Sequence, residues 1–110
     1  MELSRHTQGG VTVIALDGSL DSGTAPGAQE DLERLMADGQ AIVLDMSRMS
    51  YMSSAGLRIL LLVHRRTEED GTKVALASVP AEIRAVMEAT GFLDFFEVCD
   101  TVDDGVEVLT

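Results

Sequence analysis

The chain has 110 residues with nineteen acidic and eight basic side chains, and its net charge of −11 argues against nucleic acid or an anionic membrane as a partner. The length predicts one domain over residues 1–110, and a hydrophobic content of 45% is enough for one core. One cysteine excludes an internal disulfide and a thiolate metal cluster. The chain has no apolar signal segment at its start and no apolar run near the ~20 residues of a membrane helix, so we expect a cytoplasmic protein. We also expect it to use no metal and no cofactor.

Short apolar runs alternate with helical stripes along the chain, and glycines separate them. Gly9 and Gly10 between two extended segments are a hairpin signal, and Pro26 suits a first helical turn. In chain order we predict extended segments at 3–7 and 11–16, a helix ending at Gly39, a strand at 41–44, a helix at 55–69 and a strand at 74–77. A helix from Pro80 to Gly91 should follow, with Ile83, Val86 and Met87 on its buried face, and then a strand at 95–98. A capping box at 101–104 predicts a short final helix at 106–109.

The strands at 41–44 and 74–77 are apolar without alternation, which is typical of strands buried on both faces of a parallel sheet. Because strands and helices alternate, we expect an α/β domain with right-handed crossovers. Its sheet should have about four to five strands, mostly parallel, with an N-terminal hairpin and about four helices. The segments 41–46 and 73–78 should be neighbouring parallel strands, joined by the helix that starts at 54–56.

Small polar residues cluster where two of the predicted strands end. Ligands of parallel sheets collect at the carboxyl ends of the strands, where loops meet helix N-termini. The segment 47–54 should form a polar loop at such an end, and the segment 17–24 should lie at the neighbouring one. Together they would form one polar rim made of Asp17, Asp21, Ser22, Asp45, Ser47, Ser50, Ser53 and Ser54.

The helix predicted after Ser54 has no acidic residue in its first turn. Its free backbone N–H groups and its dipole therefore remain available to an anion such as a phosphate. We expect Gly56 to keep this turn narrow and open. Arg58, four residues after Ser54, lies within side-chain reach on a helix. We interpret Ser54 as a phosphorylation switch.

Each of these residues also has a purely structural interpretation. A serine in front of a helix is commonly only an N-cap, and Asp21 would equally cap the helix that follows it. Arg58 would then be a solvated helix residue. Met46, Met49 and Met52 form a sulfur-rich set around the predicted loop, either as core filling or as an adaptable contact surface.

The segment from Asp45 to Leu57 resembles the signature of the STAS domain, the sulphate-transporter and anti-sigma-factor-antagonist family. Within it the run Ser-Ser-Ala-Gly-Leu-Arg lies where bacterial antagonists commonly carry Asp-Ser-Ser-Gly-Leu-Gly or Asp-Ser-Thr-Gly-Leu-Gly. The resemblance covers almost the whole chain, through a short acidic C-terminal helix and the motifs Gly18-x-Leu20-Asp21 with Thr24-Ala25, Pro80-Ala81 and Gly91-Phe92.

The resemblance implies a single STAS-like domain and places the phosphorylated serine of the family on Ser54. The residues that would bind the partner or surround the phosphate are Asp21, Ser53, Ala55, Gly56 and Arg58. Three of these depart from the family pattern. Ser53 stands where many antagonists carry Asp, Ala55 replaces a second Ser or Thr, and Arg58 replaces a small residue.

The function implied by the resemblance is that of an anti-sigma factor antagonist acting by partner switching. Unphosphorylated, the domain would bind a serine kinase that is also an anti-sigma factor. Phosphorylation of Ser54 would release it, and a serine phosphatase would reset it. The alternative is an adaptor subunit of a signalling or transport assembly without a sigma factor. The acidic charge fits a basic protein partner, and it equally fits simple solubility.

An enzymatic function is not expected, and we assign no catalytic residue. A Ser-His-Asp triad needs a histidine, and His64 lies ten residues from Ser54 on the same predicted helix. At ~1.5 Å per residue the two are about 15 Å apart. His6 lies in a polar terminal segment. The chain has no Gly-x-Ser-x-Gly elbow, no phosphate-binding loop and no His or Cys cluster with metal-ligand spacing.

Overall fold

Five strands form one sheet, and their order across the sheet is their order in the chain. The computed structural model describes all residues, 1–110. Its elements are β1 (Glu2–Gln8), β2 (Val11–Leu20), α1 (Ala25–Leu35), β3 (Ile42–Met52), α2 (Ser54–Asp70), β4 (Val74–Ala77), α3 (Ala81–Ala89), a 3-10 helix (Phe92–Phe95), β5 (Glu97–Cys99) and α4 (Val102–Leu109).

The sheet is mixed. β1 and β2 form the predicted antiparallel hairpin, with Gly9 and Gly10 in the left-handed region at φ values of 57° and 79°. The pairs β2–β3, β3–β4 and β4–β5 are parallel, and a helical crossover joins each of them. The predicted α/β domain with a mostly parallel sheet, an N-terminal hairpin and four helices is therefore confirmed.

The strand–helix–strand unit around α2 also matches the prediction. β3 and β4 are parallel neighbours, with Ile42 opposite Val74 and Asp45 opposite Ala77. α2 connects them and ends at Gly71, whose left-handed φ of 70° stops the helix. The end of β3 and the start of α2 therefore lie at the carboxyl edge of the sheet.

Alternate residues of the central strands belong to two separate cores. Ile42 and Leu44 pack in a cluster of 20 buried residues that includes the inner faces of α1, α2 and α3. Val43 packs on the opposite face, in a cluster of seven with Val106 of α4. Because both faces of the sheet are covered here, the strand has no polar alternation.

β3 extends beyond its predicted end because two irregularities hide its pattern. The strand continues to Met52, through residues predicted to form a loop, and pairs with β2 as far as Leu20. Its register against β2 shifts twice between residues 15 and 19, and each shift adds an extra residue to β3. Met46 and Met49 consequently point, like Met52, into the core despite their spacing of three. The three methionines are core filling and not a contact surface.

The other differences lie at element ends and on one helix face. α1 ends at Leu35, before a turn that leads to Gly39, and β5 covers 97–99 because Phe95 belongs to the 3-10 helix. α4 begins at Val102, where the Thr101 hydroxyl oxygen accepts a hydrogen bond from the Asp104 N–H at 3.1 Å. None of the helices combines the length and the apolar character needed to span a membrane.

Val86 does not join the core as predicted. It is 45% exposed, whereas Ile83 and Met87 of the same helix are buried. α3 is short and contacts the sheet through one narrow stripe of residues spaced by four, and Val86 lies outside this stripe.

Candidate functional site at the junction of β3 and α2

A single residue, Ser53, connects β3 to α2. Its backbone is extended, with φ −92° and ψ 179°, and its N–H donates a hydrogen bond of 2.9 Å to the carbonyl oxygen of Leu20. Leu20 is the last residue of β2 and is paired with Met52. The start of α2 is therefore held against the end of β2.

Ser54 is the first residue of α2 and is exposed to solvent. The first turn of α2 contains no acidic residue, and the N–H groups of Ser54, Ala55 and Gly56 have no acceptor in the protein. The next N–H group, that of Leu57, donates to the Ser53 carbonyl oxygen at 3.0 Å. The three free N–H groups carry the positive end of the helix dipole, so they favour an anion beside the Ser54 hydroxyl.

Neither serine caps α2 with its side chain. Ser53 occupies the N-cap position, yet its Oγ is buried and has no hydrogen-bond partner. The interpretation of Ser54 as an N-cap is wrong, because Ser54 lies one residue beyond the cap position. A buried hydroxyl without a partner lowers stability through its lost hydration. The Ser53 side chain therefore does not stabilise the start of α2.

We accordingly expect Ser53→Ala to leave the free energy of unfolding unchanged or to raise it by up to about 1 kcal/mol. An N-cap serine would instead lose about 0.5–2 kcal/mol on this change. Urea unfolding measures the difference. Thr101→Ala is the matched control, because the Thr101 hydroxyl does cap α4, and it should lose about 1 kcal/mol. A loss of the same size for Ser53→Ala would contradict the prediction.

Gly56 lies where α2 contacts the end of β2. A Cβ atom at this position would be 2.8 Å from the carbonyl oxygen of Leu20 and 2.8 Å from Cγ of Met52. No side chain fits there without a shift of the backbone. Gly56 is buried, and its part in the site is to allow the close approach of helix and strand. The expectation that Gly56 keeps this turn narrow is confirmed, whereas the space around its Cα is filled and not open.

Asp21 closes the turn that precedes α1. Its Oδ1 accepts hydrogen bonds from the N–H groups of Gly23 at 2.9 Å and Thr24 at 3.1 Å, and the Thr24 hydroxyl donates to the carbonyl oxygen of Ser19 at 2.8 Å. Asp21 therefore stabilises the turn before α1. The interpretation of Asp21 as the cap of α1 is wrong, because Thr24 occupies the N-cap position and no side chain forms a cap hydrogen bond there. Because Asp21 directly follows Leu20, the starts of α1 and α2 are neighbours.

The other two residues predicted for the site differ in exposure. Ala55 is half-buried and its methyl group packs against the larger core, so it offers the site only its N–H group. Arg58 is exposed one turn after Ser54 and forms no ion pair. Its guanidinium is therefore available to a negative charge at Ser54.

The predicted polar rim is divided between the two faces of the sheet. Asp17 and Asp45 lie on the α4 face, where Ser47 and Arg48 help to line a cavity of about 280 Å³. Arg48 Nη1 is 3.9 Å from Asp17 Oδ2, and Asp45 Oδ1 accepts a hydrogen bond of 3.1 Å from the Ser47 N–H. Ser50 is paired with Ser19 through their hydroxyls at 3.1 Å. The rim members left beside the starts of α1 and α2 are Asp21, Ser22, Ser53 and Ser54.

Two residues at this junction, Leu20 and Tyr51, were not predicted from the sequence to belong to the site. Leu20 provides the carbonyl oxygen that holds Ser53, but the predicted strand ended at residue 16, before the polar Asp17 and Ser19. Tyr51 is 56% exposed beside the junction. For both residues the only signal was their place in a family motif. No three His, Cys, Asp or Glu side chains converge in a way that could hold a metal ion.

Comparison with known proteins agrees with this architecture. A family model of the STAS domain matches residues 2–105. BtrV of Bordetella bronchiseptica, described as an anti-sigma factor antagonist, is 31% identical over 102 residues, covering 92% of this chain and 88% of BtrV.

Two solved structures show the same fold. That of an anti-sigma factor antagonist from Mycobacterium paratuberculosis has a TM-score of 0.86 at 22% identity, covering 98% of this chain and 92% of that one. The Bacillus cell fate determinant SpoIIAA in its phosphorylated form has a TM-score of 0.73 at 19% identity, covering 99% of this chain and 100% of that one. With the family model matching nearly its whole length, the chain belongs to the STAS domain family.

Proposed function

We propose that the chain is a cytoplasmic anti-sigma factor antagonist that acts by partner switching. Unphosphorylated, it binds a serine kinase that is also an anti-sigma factor. The kinase transfers the γ-phosphoryl group of ATP to the Ser54 hydroxyl, which releases the complex, and a serine phosphatase hydrolyses the phosphate ester. One observation carries the proposal: Ser54 exposes its hydroxyl beside three unpartnered N–H groups at the start of α2. BtrV and SpoIIAA, the latter solved in a phosphorylated form, support it.

Phosphorylation of Ser54 changes the charge of the partner-binding surface and leaves the fold of the domain intact. A phosphate on Ser54 adds about −1.5 to −2 charges at pH 7 and three acceptor oxygens. The free N–H groups of α2 and the Arg58 guanidinium can hold this charge while the domain stays folded. The same charge in the middle of a docked surface must be desolvated, which lowers the affinity for the partner. In the proposed partner-binding surface Ser54 is central, and Asp21, Ser53 and Arg58 lie around it. Ala55, which is half-buried, and Gly56, which is buried, take part through their free N–H groups.

The site of modification can be tested by incubating the chain with its cognate kinase and ATP and mapping the phosphate by mass spectrometry. Phosphate should be found on Ser54, because its hydroxyl is exposed and without a partner. Ser53 should stay unmodified because its Oγ is buried, and Ser50 because its hydroxyl is paired. Treatment with the cognate serine phosphatase should remove the phosphate. Modification of Ser53 instead of Ser54 would overturn the proposal.

The chain is proposed to be modified and to bind, and not to catalyse a reaction. Neither histidine is placed to activate Ser54. His64 contacts Glu68 at 3.1 Å and packs against Phe95 and Phe96. His6 lies on β1, 3.5 Å from Gln8. Purified protein should therefore show no ester or nucleotide hydrolysis. A turnover that disappears in Ser54→Ala would contradict this part of the proposal.

Arg58 should matter only to the phosphorylated form. A nearby guanidinium favours the dianionic phosphate, so it should lower the second pKa of phosphoserine below its ordinary value near ~6. We expect Arg58→Ala to raise this pKa in a ³¹P NMR titration and to leave the stability of the unphosphorylated protein unchanged. Arg84→Ala, which removes an exposed and unpaired arginine from α3, is the matched control. Equal pKa values in all three proteins would show that Arg58 does not pair with the phosphate.

A further inference from the structure

The hydroxyl group of Ser53 has no role in the switch as described so far. Its Oγ is buried and forms no hydrogen bond, and it is the one buried side-chain oxygen or nitrogen of the chain without a partner. Folded proteins pair nearly all such groups, because an unpaired buried hydroxyl lowers stability. The Ser53 hydroxyl therefore points to a partner that the unphosphorylated chain does not contain.

The start of α2 has the complementary deficiency. The N–H groups of Ser54, Ala55 and Gly56 have no acceptor, and Ser53 precedes them at the N-cap position. The backbone of Ser53 already has the extended conformation of a capping residue. Rotation about its Cα–Cβ bond is thus the only change needed to bring Oγ to the staggered position in which it accepts the N–H of Ala55 or Gly56.

A phosphate on Ser54 changes the balance between these two positions of the hydroxyl. A serine hydroxyl accepts hydrogen bonds and also donates one. In the unphosphorylated chain the capping position would gain one neutral hydrogen bond, and the side chain does not adopt it. A phosphate on the next residue adds three acceptor oxygens. The hydroxyl then gains a second, charge-assisted hydrogen bond, which is about twice as strong as a neutral one.

We infer that Ser53 is a positioning residue for the phosphate on Ser54. On phosphorylation its side chain rotates out of the buried position, Oγ accepts the N–H of Ala55 or Gly56, and the O–H donates to a phosphate oxygen. This inference rests on the proposed function. It assigns the Ser53 hydroxyl a stabilising role in the phosphorylated chain alone.

The test compares the unphosphorylated chain with a chain that carries genetically encoded phosphoserine at position 54, both unfolded in urea. Ser53→Ala should lower the folding equilibrium constant of the phosphorylated chain on the order of tenfold, the loss expected for a hydrogen bond to a charged group. It should not lower that of the unphosphorylated chain. Ser53→Thr keeps the hydroxyl and should remove this difference, since the cycle cancels packing effects common to both forms. Ser47→Ala, on the opposite face of the sheet, is the matched control and should affect both forms equally.

A ³¹P NMR titration gives a second measurement that packing alone would not change. A donated hydrogen bond favours the dianionic phosphate, so Ser53→Ala should raise the second pKa of the phosphoserine and Ser53→Thr should not. The charged groups beside it, Arg58 and Asp21, are the same in all these variants.

Ser53→Asp tests whether the side chain can reach the start of α2. Its carboxylate should cap the free N–H groups and raise the folding equilibrium constant of the unphosphorylated chain about three- to tenfold. In the phosphorylated chain the like charge should raise the second pKa of the phosphoserine above that of the Ser53→Ala variant. A Ser53→Asp variant that is less stable than the wild type in both forms would show that the side chain cannot leave its buried position, and the inference would be wrong.

The remaining outcomes separate the inference from the proposed function. If Ser53→Ala has the same effect in both forms and the kinase still phosphorylates Ser54, Ser53 does not position the phosphate and the switch stands. If the kinase phosphorylates another residue, the proposed function fails, and the inference fails with it because the phosphate that Ser53 would position does not form.

Discussion

Replacing Ser54 with aspartate should lower the affinity of the chain for its kinase on the order of 100-fold, because the carboxylate lies at the centre of the docked surface and must be desolvated. Ser54→Ala should bind like the wild type and stay bound when ATP is added, since it cannot be released by phosphorylation. Both variants should remain folded. An acidic residue at the first position of α2 is favoured by the helix dipole, and the Ser54 hydroxyl forms no hydrogen bond that alanine would remove. Calorimetric titration with and without ATP measures these affinities.

The matched control for this prediction is Ser47→Asp. Ser47 is an exposed serine of β3, and it lines the cavity on the opposite face of the sheet. The control introduces the same charge into a chain that is already acidic, so it separates a local effect from general repulsion between the partners. An equal loss of affinity for Ser47→Asp and Ser54→Asp, or equal affinities of Ser54→Ala and Ser54→Asp, would refute the switch at Ser54.

The parts of the fold that sequence predicted are those with an uninterrupted local pattern. The strands at 41–44 and 74–77 and the helix between them follow from continuous apolar runs and from Gly71. The second half of β3 could not be predicted in the same way. Its bulges change the side-chain period from two to three, so that Met46, Met49 and Met52 resemble neither a strand nor a helix. Pairing with β2 decides this segment, and pairing is not a local property.

The same division applies to the site. The exposed Ser54 and the absence of acidic residues in the first turn of α2 are readable from neighbouring residues and from the resemblance to a family. The hydrogen bond of the Ser53 N–H and the close contact of Gly56 both involve Leu20, which is more than 30 residues away in sequence. Sequence therefore singled out Ser54 as the candidate serine, and only the structure shows how the end of β2 holds the start of α2 in position.

Gly56→Ala should destabilise the domain although alanine is the better helix former. Alanine at an exposed helix position gains up to about 1 kcal/mol over glycine. At position 56 the new methyl group would lie 2.8 Å from the carbonyl oxygen of Leu20, a backbone atom that cannot move without disturbing β2. Overpacking of this kind costs about 1–3 kcal/mol, so we expect a net loss of up to about 2 kcal/mol in the free energy of unfolding. Urea denaturation of this small single domain measures it directly.

Gly27→Ala is the matched control for this change, because Gly27 lies inside α1 with no atom within 4 Å of a new methyl group. It should raise the free energy of unfolding by about 0.5–1 kcal/mol, the gain in helix propensity alone. The two variants should therefore shift stability in opposite directions. Gly56→Ala should also slow phosphorylation, since a methyl group that separates α2 from Leu20 displaces the N–H groups around Ser54. If both variants were stabilised equally, α2 would not be packed against the end of β2 as closely as described, and Gly56 would have no part in positioning Ser54.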